Sequence, residues 1–177
     1  IFIPANGDAI FSNTAKTIFV SAGNGVFTVP SVLRTSLQSD RANLNAVLQG
    51  AQPLNIGLRR ATADGIFTYT PTPDWNIELG YENRKQSGFR PIGTTLNGFT
   101  HILEQQEPTD YRTHTTKASA EYTAESWGIR FGYNGSIFDN KVGELVWDNA
   151  FDVAKRGRLD LYPNNSADSL SISGTLN

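Results

Sequence analysis

Successive residues of a β-strand point to opposite faces, so a run alternating apolar and polar side chains commits a chain to a two-faced sheet. Four segments obey that rule. From Trp75 the odd positions read Trp75, Ile77, Leu79, Tyr81, against Asn76, Glu78, Gly80 and Glu82. From His114 the even positions His114, Thr116, Ala118, Ala120, Tyr122 oppose Thr115, Lys117, Ser119, Glu121 and Thr123. Trp127, Ile129, Phe131 and Tyr133 alternate with Gly128, Arg130, Gly132 and Asn134. Leu170, Ile172, Gly174 and Leu176 alternate with Ser171, Ser173, Thr175 and Asn177.

The connections add a rhythm. Phe67 and Tyr69 close a strand of about ten residues beginning near Gly57, and Thr70-Pro71-Thr72-Pro73-Asp74 turns it into the next. Thr123-Ala124-Glu125-Ser126 is an equally short link. The stretches from about Gln86 to Arg112 and from about Phe138 to Asp168 are read as long loops. Short, long, short, long is the pattern of a transmembrane barrel with tight periplasmic turns and long extracellular loops. Tyr69, Trp75, Tyr122 and Trp127 all border the short turns, where they would form one membrane-interface girdle. A soluble β-sandwich also alternates. The strand length, the small mixed polar face and the end-placed aromatics favour the barrel.

Composition narrows the classes. Charged residues make up 18%, with Gly 16, Phe 10 and Tyr 6, which suits strands and turns. A net charge of -2 argues against a nucleic-acid partner. No apolar run is long enough for a membrane-spanning helix, and residues 1–25 lack the pattern of a signal peptide. Zero cysteine excludes disulfides, thiolate metal sites and covalently attached c-type haem in this chain.

Residues 1–55 read as an irregular part with short strands or a brief helix, and 56–177 as transmembrane hairpins of one incomplete barrel domain. Thr17–Ser21 and Gly25–Val29 suggest a small hairpin around Ala22-Gly23-Asn24. Leu33, Leu37, Leu44, Val47 and Leu48 approach helical spacing, and Ser39 or Asp40 would cap such a helix.

Catalytic chemistry is not visible. His101 and His114 have no companion ligands at metal spacing. Glu104, Glu107 and Asp110, like Asp139, Glu144, Asp148 and Asp152, read as solvated loop charge rather than a calcium site. No nucleophile elbow, phosphate loop or dinucleotide fingerprint occurs, so the chain reads as a non-enzyme with no metal or cofactor site of its own. What remains is the polar strand face, where Glu78, Glu82, Lys117, Glu121 and Arg130 are candidates to line a lumen, to meet a polar cargo or to pair across strands.

One family matches these residues in combination. Phe67-Thr68-Tyr69-Thr70-Pro71-Thr72-Pro73-Asp74-Trp75, Leu79-Gly80-Tyr81 and Gly88-Phe89-Arg90-Pro91 resemble the MtrB/PioB outer-membrane β-barrels. Glu107-Pro108-Thr109-Asp110-Tyr111-Arg112-Thr113-His114 is similar to that family's EPxDYRTH stretch. Trp127, Gly132-Tyr133, Ser136-Ile137-Phe138-Asp139-Asn140 and Leu145-Val146-Trp147-Asp148-Asn149-Ala150-Phe151 continue the likeness, with Ala150 in place of the family's proline. The resemblance runs from about Leu48 to Asn177. It implies an outer-membrane barrel of a Gram-negative bacterium, set in lipid, that sheathes a periplasmic multihaem c-type cytochrome. In some members an outer-surface multihaem cytochrome docks on it, and together they carry electrons across the membrane. Haem would belong to the partner. The N-terminal Cys-x-x-Cys of some members is absent, so nothing tied to it carries over.

The expectation is therefore an all-β chain, an antiparallel transmembrane arc of a large barrel. A small porin passing solutes and a soluble sandwich stay as alternatives. About five or six membrane-length strands fall short of the roughly eight needed to close a barrel. With no methionine at its start, the chain is expected to be a piece or a processed product of a longer protein.

Overall fold

A computed structural model describes residues 16–32, 52–53, 55–95, 102–149 and 155–176. Eleven strands follow in order: β1 (Lys16–Thr17), β2 (Val20–Gly23), β3 (Val26–Thr28), β4 (Gln52–Pro53), β5 (Gly57–Tyr69), β6 (Trp75–Thr95), β7 (Ile102–Thr123), β8 (Trp127–Asn140), β9 (Glu144–Asp148), β10 (Arg156–Asp160) and β11 (Asn165–Leu176). The described residues are all-β apart from a helical step at Ser31 and Val32. The irregular or briefly helical connection expected over 31–50 lies almost wholly outside the described residues. Contacts divide the chain into two units, one of residues 59–86, 110–141 and 163–177, the other of residues 1–58, 87–109 and 142–162.

The first unit is built from the alternating segments. Its strands belong to a five-stranded sheet of order β11-β8-β7-β6-β5, and the described strands form an open sheet, not a closed barrel. The β7–β8 and β8–β11 pairs are antiparallel and unbroken, from Tyr111↔Asn140 to Thr123↔Gly128 and from Asn165↔Phe138 to Leu176↔Trp127. Tight turns join β5 to β6 and β7 to β8. The amide of Trp75 donates to the Thr72 carbonyl at 3.1 Å, and that of Ala124 to the Trp127 carbonyl at 2.8 Å. Because side chains alternate, one face carries Ala118, Tyr133 and Leu170 in a row, and the other carries Lys117, Asn134 and Ser169. Leu79, Phe131, Leu170 and Ile172 are 50%, 47%, 85% and 72% exposed, so this unit leaves its apolar face open. A sandwich would cover that face with a second sheet.

The second unit has a water-type core. Its sheet runs β10-β9-β3-β2, with β3 parallel to β9 through Val26↔Val146 and Phe27↔Trp147. Ile18, Phe19, Phe27, Val29, Leu145 and Trp147 are buried. The expected N-terminal hairpin forms as β2 and β3, and its turn requires positive φ at Gly23, Asn24 and Gly25. Gly25 is also pressed against the Glu144 backbone, where a Cβ would overlap the carbonyl.

The two long loops are corrected by the structure. Between Gln86 and Arg112, β6 continues to Thr95 and β7 begins at Ile102. Between Phe138 and Asp168, β8 continues to Asn140 and β9 and β10 form an antiparallel hairpin. The sequence hides this because the buried side of β7 here is polar: Gln105, Glu107 and Thr109 are 0%, 2% and 3% exposed. The period of two persists, but polar residues occupy the inward positions, so a search for apolar faces passes over it.

Gly88 marks the continuation of β6. Its φ is +134°, and a Cβ there would overlap the Gly57 carbonyl. Gly88→Ala is expected to cost about 1–3 kcal/mol from backbone strain alone. Hydrogen exchange on the full-length protein in detergent should then show faster amides at the start of β5, with the β8–β11 pair unchanged.

Candidate functional site

The candidate site is the first unit's sheet, with a different chemistry on each face. On the polar face, Glu121 and Arg130 are direct cross-strand partners with a charge separation of 4.0 Å, both side chains about half exposed. Such a pair contributes about 0–1 kcal/mol, so it sets local charge more than stability. Glu82 pairs along its own strand with Arg84 at 2.8 Å. Lys117 is exposed, and a Cβ on Gly80 would lie 3.6 Å from its own Cβ. That contact puts Gly80, and with it Glu78 and Glu82, on the Lys117 face. All five candidate charges therefore share one face. Among the described residues Glu78 and Lys117 make no ion pair.

On the opposite face, the Trp75 and Tyr122 rings lie 5.1 Å apart and the Tyr122 and Trp127 rings 5.3 Å apart. One row beside the short turns thus holds three of the four expected interface aromatics. Tyr69 lies on the same face, since Ile66 of β5 meets Gly80 on the polar side, but it makes no ring contact among the described residues. Next to the aromatic row is a trough of about 460 Å³ floored by Ala118 and Ala120 and walled by Leu79, Phe131, Leu170 and Ile172. Small residues on β7 between large ones on β6, β8 and β11 create it.

Further along the same face the groups become polar. Nδ1 of His114 accepts from the Tyr81 hydroxyl at 2.6 Å and from the Asn83 amide at 3.1 Å. Two donors on one ring nitrogen place the His114 proton on Nε2. The Tyr133 hydroxyl donates to Asp168 at 2.6 Å, its side chain lying over Gly135. From Trp75 to Lys85 is ten residues, about 33 Å along the strand. At a tilt near 40° that spans roughly 25 Å of height, the thickness of a barrel's apolar band.

Sequence reasoning missed the second unit's polar centre. Glu107, read as solvated loop charge, is buried and bound by Arg90, whose guanidinium also lies 5.3 Å from the centre of the Tyr162 ring. Asp148 is likewise buried, accepting from the Val29 amide at 3.4 Å and from Arg156 at 3.1 Å. Trp147 lies over Gly157, its cross-strand partner. The signal was in the Gly88–Pro91 and Glu107–His114 stretches, which supply the paired Arg90 and Glu107. Among the described residues no three metal-ligating side chains converge. His101, Asp152 and the side chain of Glu104 lie outside the described set.

Comparison with known proteins agrees with this two-faced sheet. Residues 7–177 match the family model described as outer membrane beta-barrel porin, MtrB/PioB. Outer membrane protein MtrB of Shewanella baltica (strain OS185) is 26% identical over 170 residues, covering 94% of this chain and 24% of that relative. The chain thus spans about a quarter of the curated relative it matches. With a family match over nearly its whole length, and a sheet apolar on one face and charged on the other, the chain belongs to the MtrB/PioB family of outer-membrane β-barrel porins.

Proposed function

We propose that this chain is an arc of an outer-membrane barrel that sheathes a multihaem c-type cytochrome, insulating a trans-membrane electron conduit. The observation carrying this reading is the sheet's division of labour: open apolar side chains on one face, charges of both signs on the other. The apolar face meets lipid, with Trp75, Tyr122, Trp127 and Tyr69 at one interface. The charged face meets the cytochrome, where Lys117 and Arg130 oppose carboxylates or haem propionates and Glu78, Glu82 and Glu121 oppose basic groups. The short turns are periplasmic, and an outer-surface multihaem cytochrome can dock on the barrel's outer side. Haem stays with the partner, and the barrel performs no catalysis.

The full-length protein purified from its host should carry a Soret band that disappears when the barrel is deleted. Reversal of Lys117 and Arg130 to glutamate should reduce cytochrome retention at least about tenfold, equivalent to about 1.4 kcal/mol. Solute flux through reconstituted barrel, with no haem partner recovered from the host, would favour the porin reading instead.

A further inference from the structure

The lipid-facing side carries a second arrangement, which rests on the orientation proposed above. Arg59 on β5, Lys85 on β6 and Arg112 on β7 continue that face beyond its apolar part. Tyr81 and Asn83 both meet His114, so odd residues of β6 share a face with even residues of β7. The offset that sets Gly80 beside Lys117 and Asn83 beside His114 also sets Lys85 opposite Arg112. Arg60 bonds Gln86 at 3.3 Å on the polar side, which turns Arg59 to the lipid side, diagonal to Lys85.

All three cations are exposed, and among the described residues none makes an ion pair or hydrogen bond. Like charges directly opposite in a sheet are destabilising. Asp139, the cross-strand partner of Arg112, stands on the same face but forms its ion pair with Lys141 at 3.3 Å, and Asp168 accepts from the Tyr133 hydroxyl, so among the described residues neither is bonded to the three cations. Along one face, then, come three cations that make no ion pair among the described residues, the Tyr81–Asn83–His114 polar group, and the apolar trough over Ala118 and Ala120. Anion site, polar step and apolar groove, in that order, is the complement of an acylated phospholipid-like molecule lying along the barrel. The cations span two strand spacings, about 10 Å, which suits a headgroup with more than one phosphate.

We propose that this face binds the phosphorylated, acylated glycolipid of the outer leaflet. Lys85 and Arg112 hold one phosphate with Arg59 beside them, and an acyl chain lies in the trough. The test is retention of purified bisphosphorylated glycolipid by the full-length protein in detergent, read by native mass spectrometry. The Arg59→Ser/Lys85→Ser/Arg112→Ser variant should retain at least about tenfold less, a loss appropriate to removed charge-assisted bonds. Wild-type protein should show a comparable loss toward the same glycolipid stripped of its phosphates, an arm independent of how the variant folds. Equal retention of the stripped glycolipid, of a single-phosphate phospholipid, or by the triple variant would overturn the site. Orientation is read separately. The chain has no cysteine, so Ser126→Cys reports cleanly on the short turn. Labelling by an impermeant maleimide on intact cells would overturn the orientation and the outer-leaflet assignment with it. Labelling only after permeabilisation, together with failed glycolipid retention, would overturn the lipid site alone.

Discussion

Leu170→Arg is expected to lower the stability of the membrane-inserted protein by about 2–4 kcal/mol, while Ser171→Arg, one residue on, costs less than about 1 kcal/mol. Leu170 is 85% exposed and lies in one row with Tyr133 and Ala118, near the middle of the stretch between the Trp75–Tyr122 row and Arg112. A charge there enters hydrocarbon if the face meets lipid. Ser171 points the other way, beside Gly132, where water would solvate the guanidinium. The measurement is urea unfolding of the full-length protein in lipid vesicles, followed by tryptophan fluorescence. In a water-soluble sheet the ranking vanishes, because an exposed leucine replaced by arginine costs almost nothing. Equal values for the two variants would remove the lipid-face assignment.

Arg90→Ala is expected to destabilise the second unit by about 3–5 kcal/mol, because it leaves the Glu107 carboxylate buried and unneutralised. Glu107 is 2% exposed, so water cannot replace the guanidinium at the carboxylate. Removing both charges together, as Arg90→Met/Glu107→Leu, should recover most of the loss, since an apolar pair of similar volume avoids the desolvation of two ions. The Arg90 stacking on Tyr162 makes Arg90→Lys an intermediate case: charge is kept, but the planar fork is lost. Hydrogen exchange across residues 102–109 of the full-length protein gives the ranking. If the double variant is no better than Arg90→Ala, the pair is not the source of the stability.

The alternating segments were readable because a strand with one apolar and one polar face writes its orientation into every second residue. Trp75–Tyr81, His114–Tyr122, Trp127–Tyr133 and Leu170–Leu176 became strands with the expected faces and short turns. The common face of Glu78, Glu82, Lys117, Glu121 and Arg130 followed from the same parity, since a period of two leaves no freedom once neighbouring strands are in register. Residues 102–110 were not readable in this way. Their inward positions are Gln105, Glu107 and Thr109, whose burial depends on partners distant in sequence, such as Arg90. Trp147 over Gly157 and Asp148 beside Val29 and Arg156 are likewise pairings that no local pattern announces.

By itself, then, the sequence determined the all-β class, the two-faced sheet, the short turns and the family, because these depend on local geometry and on residue order. Only the tertiary structure decided that the supposed loops are strands and that Glu107 and Asp148 are buried ion-pair members. It also decided that Arg59, Lys85 and Arg112 gather at one end of the apolar face without an ion pair among the described residues. The reason is physical: burial and charge neutralisation are set by what lies across the sheet, and alternation along one strand carries no information about that neighbour.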